Sequence, residues 1–106
     1  MTKVRKTTPW GPAQTADQIA PGIVLYTTAG HGGFHLNAER NAQVRDEFKN
    51  GDAFMEQRCI GWYEEDCDAA IVIFTFPEFF APEQYILAVE TLKNWHKDAW
   101  LSIASA

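Results

Sequence analysis

Hydrophobic residues in this chain change their spacing from segment to segment, and those changes mark the elements. Ile23-Val24-Leu25-Tyr26-Thr27-Thr28 is β-branched and aromatic, the composition of a strand. Ala29-Gly30-His31-Gly32-Gly33 can make a tight reversal, and Phe34-His35-Leu36 reads as the returning strand of a β-hairpin. Asn37 suits the N-cap of a helix from Ala38 to about Phe48, with Asn50-Gly51 as its stop. From Tyr63 to Phe76 the signals conflict. Glu64, Glu65 and Asp66 suit a helix N-terminus, where the macrodipole favours anions, whereas Ile71-Val72-Ile73-Phe74-Thr75-Phe76 has the propensity of a buried strand. The acidic start and the stop at Pro77 bracket a helix-sized segment, so helix is preferred. Pro82 opens the clearest helix, which runs to about Lys97 with Ile86, Val89 and Trp95 near helical spacing and Leu92 between them. Thr15 to Ala20 is expected to form a short helical turn before Pro21-Gly22.

Residues 1–8 are polar and predict a flexible N-terminal arm, and residues 9–106 a single globular domain. The implied fold class is α+β, a small antiparallel hairpin or sheet packed against about three helices. Trp62 and Trp95 are expected in the core, with Trp10 or Trp100 partly exposed.

Composition sharpens this picture in one place. Apolar residues make up 46% and aromatics 13%, enough for a folded core without disulfide or metal. Between Asn50 and Leu92, however, nine carboxylates stand against the single base Arg58, a formal charge of −8, while the remaining residues sum to +3. Repulsion within such a segment opposes compaction, so its density suggests electrostatic capture of a basic partner. The net charge of −5 argues against direct nucleic-acid binding. No apolar run approaches the roughly 20 residues of a membrane helix, and no leader pattern is present. With Cys59 and Cys67 eight residues apart and no C-x-x-C, a soluble cytoplasmic protein with free thiols is expected.

Candidate chemistry is thin. His31-Gly-Gly-Phe-His35, with Glu64, Glu65, Asp66 and Asp68, offers the ligand types of a zinc or iron site. Two central glycines disfavour a helix there, and in a hairpin His31 becomes a turn residue while His35 alternates outward from Phe34 and Leu36. No Gly-Lys-Ser/Thr follows the glycines, so a nucleotide phosphate loop is not indicated. Cys67 is flanked by carboxylates that suppress a thiolate, and Cys59 follows Arg58 without an identifiable base. On a helix Glu64 and Asp68 would stand at i and i+4, a charged ridge rather than a catalytic pair. No cofactor is called for.

The strings WGPAQ…APGIVLYTTAGHGGFHLNAERN and GWYEEDCDAAIVIFTFPEFF, taken together, resemble a family of short uncharacterised domains from bacteria, plasmids and phages. Its pattern is W-G, A-P-G-[IV]-V, H-G-G-[FI]-x-[LV], W-[YF]-E-E-D-C and a following F-P. The match covers Trp10 to Phe80 and departs at Ala69-Ala70, where the pattern has an aromatic. The resemblance implies a mobile-element setting, where small acidic proteins often inhibit host defence, anti-CRISPR proteins among them.

The leading expectation is therefore a binding protein without catalysis. It would inhibit a host nucleic-acid-handling complex, such as a CRISPR effector, by placing carboxylates on a basic site. Glu64, Glu65, Asp66 and Asp68 would form the contact, extended by Glu56, Glu78, Glu83 and Glu90. The protein itself would be a monomer or homodimer without membrane contact. The alternatives are a metal-assisted hydrolase using His31, His35 and a carboxylate, and an interaction domain that folds and oligomerises through exposed Trp residues.

Overall fold

Strand β4 (Ile23–Thr27) explains the architecture, because alternate residues of this strand are buried on opposite sides. Ile23 packs with one cluster and Val24 and Tyr26 with another, so β4 needs a neighbour on each edge and a layer on each face. A computed structural model, which describes residues 6–49, 61–65 and 68–104, shows how the chain supplies them.

Four strands form an antiparallel sheet in the order β3 (Thr15–Ala20), β4, β5 (Gly32–Leu36) and β6 (Trp62–Glu64). The predicted β4–β5 hairpin is present, with Leu25 opposite Phe34, but β5 starts at Gly32, opposite Thr27, so Gly32 and Gly33 are strand residues rather than part of the expected turn. Thr28 closes its turn: the Thr28 N–H and hydroxyl both donate to the His31 carbonyl at 2.8 Å. The predicted helical turn at Thr15–Ala20 is instead β3, paired to β4 from Thr15↔Thr27 to Ala20↔Ile23. Pro21-Gly22 is the two-residue link, and Gly22 takes the positive φ of +86° that a β-carbon would oppose. Tertiary pairing overrides local propensity here, since β4 gains an edge partner that a helical turn could not provide.

The helices cover one face. Asn37 caps α1 (Ala38–Ala42) as expected, its side chain accepting from the Arg40 N–H at 2.9 Å. The predicted single helix to Phe48 breaks at residues 43–45, where i→i−3 bonds tighten the chain before α2 (Asp46–Lys49). Val44 and Phe48, on either side of the break's end, are both buried. The expected stop at Asn50-Gly51 lies outside the described residues.

The segment from Tyr63 to Phe76 divides between the two conformations. Trp62 and Tyr63 are buried on opposite faces of β6, a spacing of two that no helix provides. The predicted helix is present only as α3 (Ala69–Thr75), which ends before a short 3₁₀ turn at Pro77–Phe79. Its β-rich residues are helical because Ala69, Ala70, Ile71 and Val72 are all buried as α3 packs against the sheet and α4 (Pro82–Trp95). The small pair Ala69-Ala70 lies at this contact.

Helix α4 starts at Pro82 as predicted, but its inward stripe differs from the expected one. Ala88 and Leu92 are buried, whereas Ile86 is 62% and Trp95 73% exposed. Trp95 is thus a surface residue. Trp62 is buried, and Trp10 and Trp100 are partly so. Helix α5 (Lys97–Ala104) folds back through its Trp100, whose ring meets Phe74 at 5.7 Å.

The second face of the sheet is covered by the N-terminal segment. Thr7–Thr8 (β1) and Gly11–Pro12 (β2) form a small ladder that sets Trp10 edge-on against Trp62, with ring centroids 5.6 Å apart. Val24, Tyr26 and Trp62 are buried beneath it.

Candidate acidic interface

Glu64 and Glu65 leave the sheet at the end where β4 and β5 turn. Glu64 pairs with Gly33 in register, and the Glu65 N–H donates to the Gly32 carbonyl at 2.9 Å. A β-carbon on Gly32 would lie 3.0 Å from the Glu65 carboxylate and 2.8 Å from the Tyr26 carbonyl. One on Gly33 would collide with the Tyr63 carbonyl and approach the Trp10 ring to 2.5 Å. These two glycines therefore serve close packing. They admit Trp10 to one face and a carboxylate to the end of the sheet.

The two histidines of this segment do not converge. His31 is exposed in the turn, while His35 is paired with Val24 and Trp62 and holds its ring 4.5 Å from that indole. Four residues of extended chain separate them by about 13 Å, too far for one ion. Among the described residues no group of three or more His, Cys, Asp or Glu side chains is placed to hold a metal.

The acids predicted as one surface occupy several places. Glu65 is exposed and Glu64 half-buried at the hairpin end. Asp68 turns inward instead, its carboxylate 3.4 Å from Nε2 of His96, with both side chains about 15% exposed. Asp68 therefore sits where α3 starts and α4 meets α5, and it does not share a helix with Glu64 as expected. Burial first, and the Asp68 charge second, hold the Tyr63 hydroxyl well above its ordinary pKa. That hydroxyl donates to Asn41 Oδ1 of α1.

Glu78 is carried by the 3₁₀ turn. The neighbouring Phe79 lies 5.2 Å from the Arg40 guanidinium, whose Nε donates to the Pro21 carbonyl at the opposite end of the sheet from Glu65. Glu83 and Glu90 lie on the outer side of α4, and Glu90 is 3.9 Å from Lys93. Glu56 and Asp66, like Cys59 and Cys67, lie outside the described residues.

His96 escaped the sequence reading, because its importance depends on a contact with Asp68, 28 residues away in the chain. Beside it an open cleft of about 420 Å³ is lined by Glu47, Trp95, His96, Lys97, Asp98 and Ser102. The Glu47 carboxyl is held below its ordinary pKa by its own backbone N–H and then by Arg45. Mixed charge gives this cleft no preference for one ionic ligand.

The fold and these surfaces define a small α+β domain whose sheet is closed on both faces and whose acids are displayed at its ends and along one helix. The chain belongs to the family described as Domain of unknown function (DUF7007), which matches residues 3–106. No curated protein and no solved structure matches it. No helix of the described residues is long and apolar enough to cross a membrane.

Proposed function

We propose that this domain is a non-catalytic binding protein that presents carboxylates at the end of its sheet to a basic nucleic-acid-binding surface. This is the behaviour of a mobile-element inhibitor acting in the cytoplasm on a host defence complex such as a CRISPR effector. The supporting observation is the setting of Glu65. Its main chain is tied to Gly32, its carboxylate lies over a position that only glycine leaves open, and it is exposed to solvent. A main chain anchored in this way loses less freedom on binding than a mobile loop, so more of the carboxylate's attraction is retained as affinity. Glu64 precedes it on the paired strand, and the two together form the centre of the contact. Asp68 is engaged with His96, and Glu78, Glu83 and Glu90 lie elsewhere, so the contact is smaller than the acidic composition suggests.

The test is a pull-down from nuclease-treated host lysate with the wild type and the Glu64→Lys/Glu65→Lys variant, read by mass spectrometry. Retention of a nucleic-acid-handling complex by the wild type alone, with release by added duplex DNA and by salt, is the expected result. Equal retention by both proteins, or indifference to DNA, removes the reading.

A further inference from the structure

Glu64 and Glu65 differ in what stands beside them. Side chains alternate along β6, so Glu64 emerges on the same side as Trp62, two residues before it. That side is the one covered by Trp10. A β-carbon on Gly33 would lie 2.5 Å from the Trp10 ring and 3.0 Å from the Glu64 Cα, so ring and acid flank one point at the end of the sheet. Glu65 follows Tyr63 by two residues and projects from the opposite, helix-covered side.

Three further observations give this corner a chemical character. Trp10 is held in place, its N–H donating to the Thr8 hydroxyl at 3.1 Å and its ring edge-on to Trp62, yet it is only partly buried. Glu64 is half-buried, so water screens its charge less than that of an open surface acid. Among the described residues its carboxylate is in no ion pair. An anion without a counter-ion, next to an ordered aromatic ring, suits a cation with an apolar surface of its own.

We propose that Trp10 and Glu64 together form a seat for one arginine side chain of a basic partner. The proposal rests on the sheet-end contact proposed above and names the group that the contact takes. A guanidinium is planar and weakly hydrated, so it can lie against the indole while its N–H fork reaches the carboxylate. The compact, strongly hydrated ammonium of lysine gains less from the ring. Glu65, lacking that ring, attracts either cation alike. Arginine is also the side chain that surfaces binding nucleic acid use to grip phosphate, which fits the class of partner proposed.

The test is NMR titration of the ¹⁵N-labelled full chain with N-acetyl-L-arginine methylamide and with its lysine counterpart, at fixed ionic strength. The Trp10 indole N–H and the Glu64 amide are expected to shift together, with a Kd on the order of 1–10 mM for the arginine probe. The lysine probe should bind at least about threefold more weakly. Glu64→Gln should weaken the arginine probe at least about fivefold, whereas Glu65→Gln should stay within about twofold of wild type. Trp10→Leu keeps an apolar side chain against Trp62 and should abolish the preference for arginine. Circular dichroism melts check that each variant folds, and should Trp10→Leu unfold, the lysine probe and Glu64→Gln still decide. Equal affinity for the two probes overturns the proposal, as does binding that Glu64→Gln leaves unchanged or shifts that lie elsewhere on the chain. These outcomes leave the lysate pull-down to decide the binding function, and a failed pull-down would leave an arginine-selective seat standing.

Discussion

Replacing Gly33 by alanine adds one methyl group at the most crowded backbone position of the sheet. The added carbon would meet the Tyr63 carbonyl of β6 on one side and the Trp10 ring, at 2.5 Å, on the other. Neither neighbour can yield cheaply. The carbonyl belongs to the main chain of β6, and Trp10 is packed against Trp62. Overpacking alone costs about 1–3 kcal/mol. Partial loss of the Trp10–Trp62 contact adds about 0.5–1.5 kcal/mol. A destabilisation of about 2–4 kcal/mol is therefore expected, a large share of the roughly 5–15 kcal/mol of an ordinary domain. At about 4–8 °C per kcal/mol, Tm should fall by on the order of 10–25 °C in a thermal melt followed by circular dichroism. The two clashes are separable. In a Trp10→Ala background the ring is gone but the carbonyl remains, so Gly33→Ala should cost less there than in the wild type but more than zero. A Gly33→Ala protein that melts within about 2 °C of wild type, a shift of under about 0.5 kcal/mol, would show that this glycine is not required for packing.

Two further substitutions test how α1 is held. Tyr63→Phe removes the hydrogen bond to Asn41 and is expected to cost about 0.5–1.5 kcal/mol near neutral pH in urea unfolding. Because the folded-state pKa of Tyr63 lies above its ordinary 10.0, the neutral hydroxyl favours folding. That contribution is complete below pH 10 and is lost as pH rises above it, so the wild type should lose its advantage over Tyr63→Phe in strong alkali. An unchanged difference across that range would contradict the assignment. Asn37→Ala removes the side-chain acceptor for the Arg40 N–H, and about 1 kcal/mol of stability should be lost by the same assay.

The parts of the fold legible in the sequence are those fixed by local signals. Asn37 as a cap and Pro82 as a first helical residue act within a few residues and are where they were expected, whereas the reversal expected over Ala29–Gly33 is shorter, since Gly32 and Gly33 already pair in β5. The misread parts depend on distant partners. Thr15–Ala20 is a strand because β4 lies beside it, and Trp62–Glu64 is a strand because β5 lacks its other neighbour. Trp95 faces water because the contact with α3 selects the side of α4 that carries the small Ala88. The acidic surface was legible as a charge count but not as a shape. Asp68 is adjacent to the other acids in sequence, yet its carboxylate turns inward to within 3.4 Å of His96, a residue no spacing rule connects to it.

The coverage of the sheet also restricts where recognition can occur. On one face Phe34, Leu36 and Tyr63 lie beneath helices, and on the other Val24, Tyr26 and Trp62 lie beneath the Trp10 ladder. A ligand reaching either face would have to displace a packed aromatic, at a cost of several kcal/mol. Two residues of β5 are committed in the same way, His35 to Trp62 and Gly33 to Trp10. Among the described residues, the end of the sheet at Glu65, the outer side of α4 and the cleft beside His96 stay accessible without unfolding. The first offers exposed charge, and the second offers Ile86 and Leu87 beside Glu83 and Glu90. The basic partner proposed above would engage the sheet end, where Glu64 and Glu65 stand. Such a contact would weaken steeply as ions screen it.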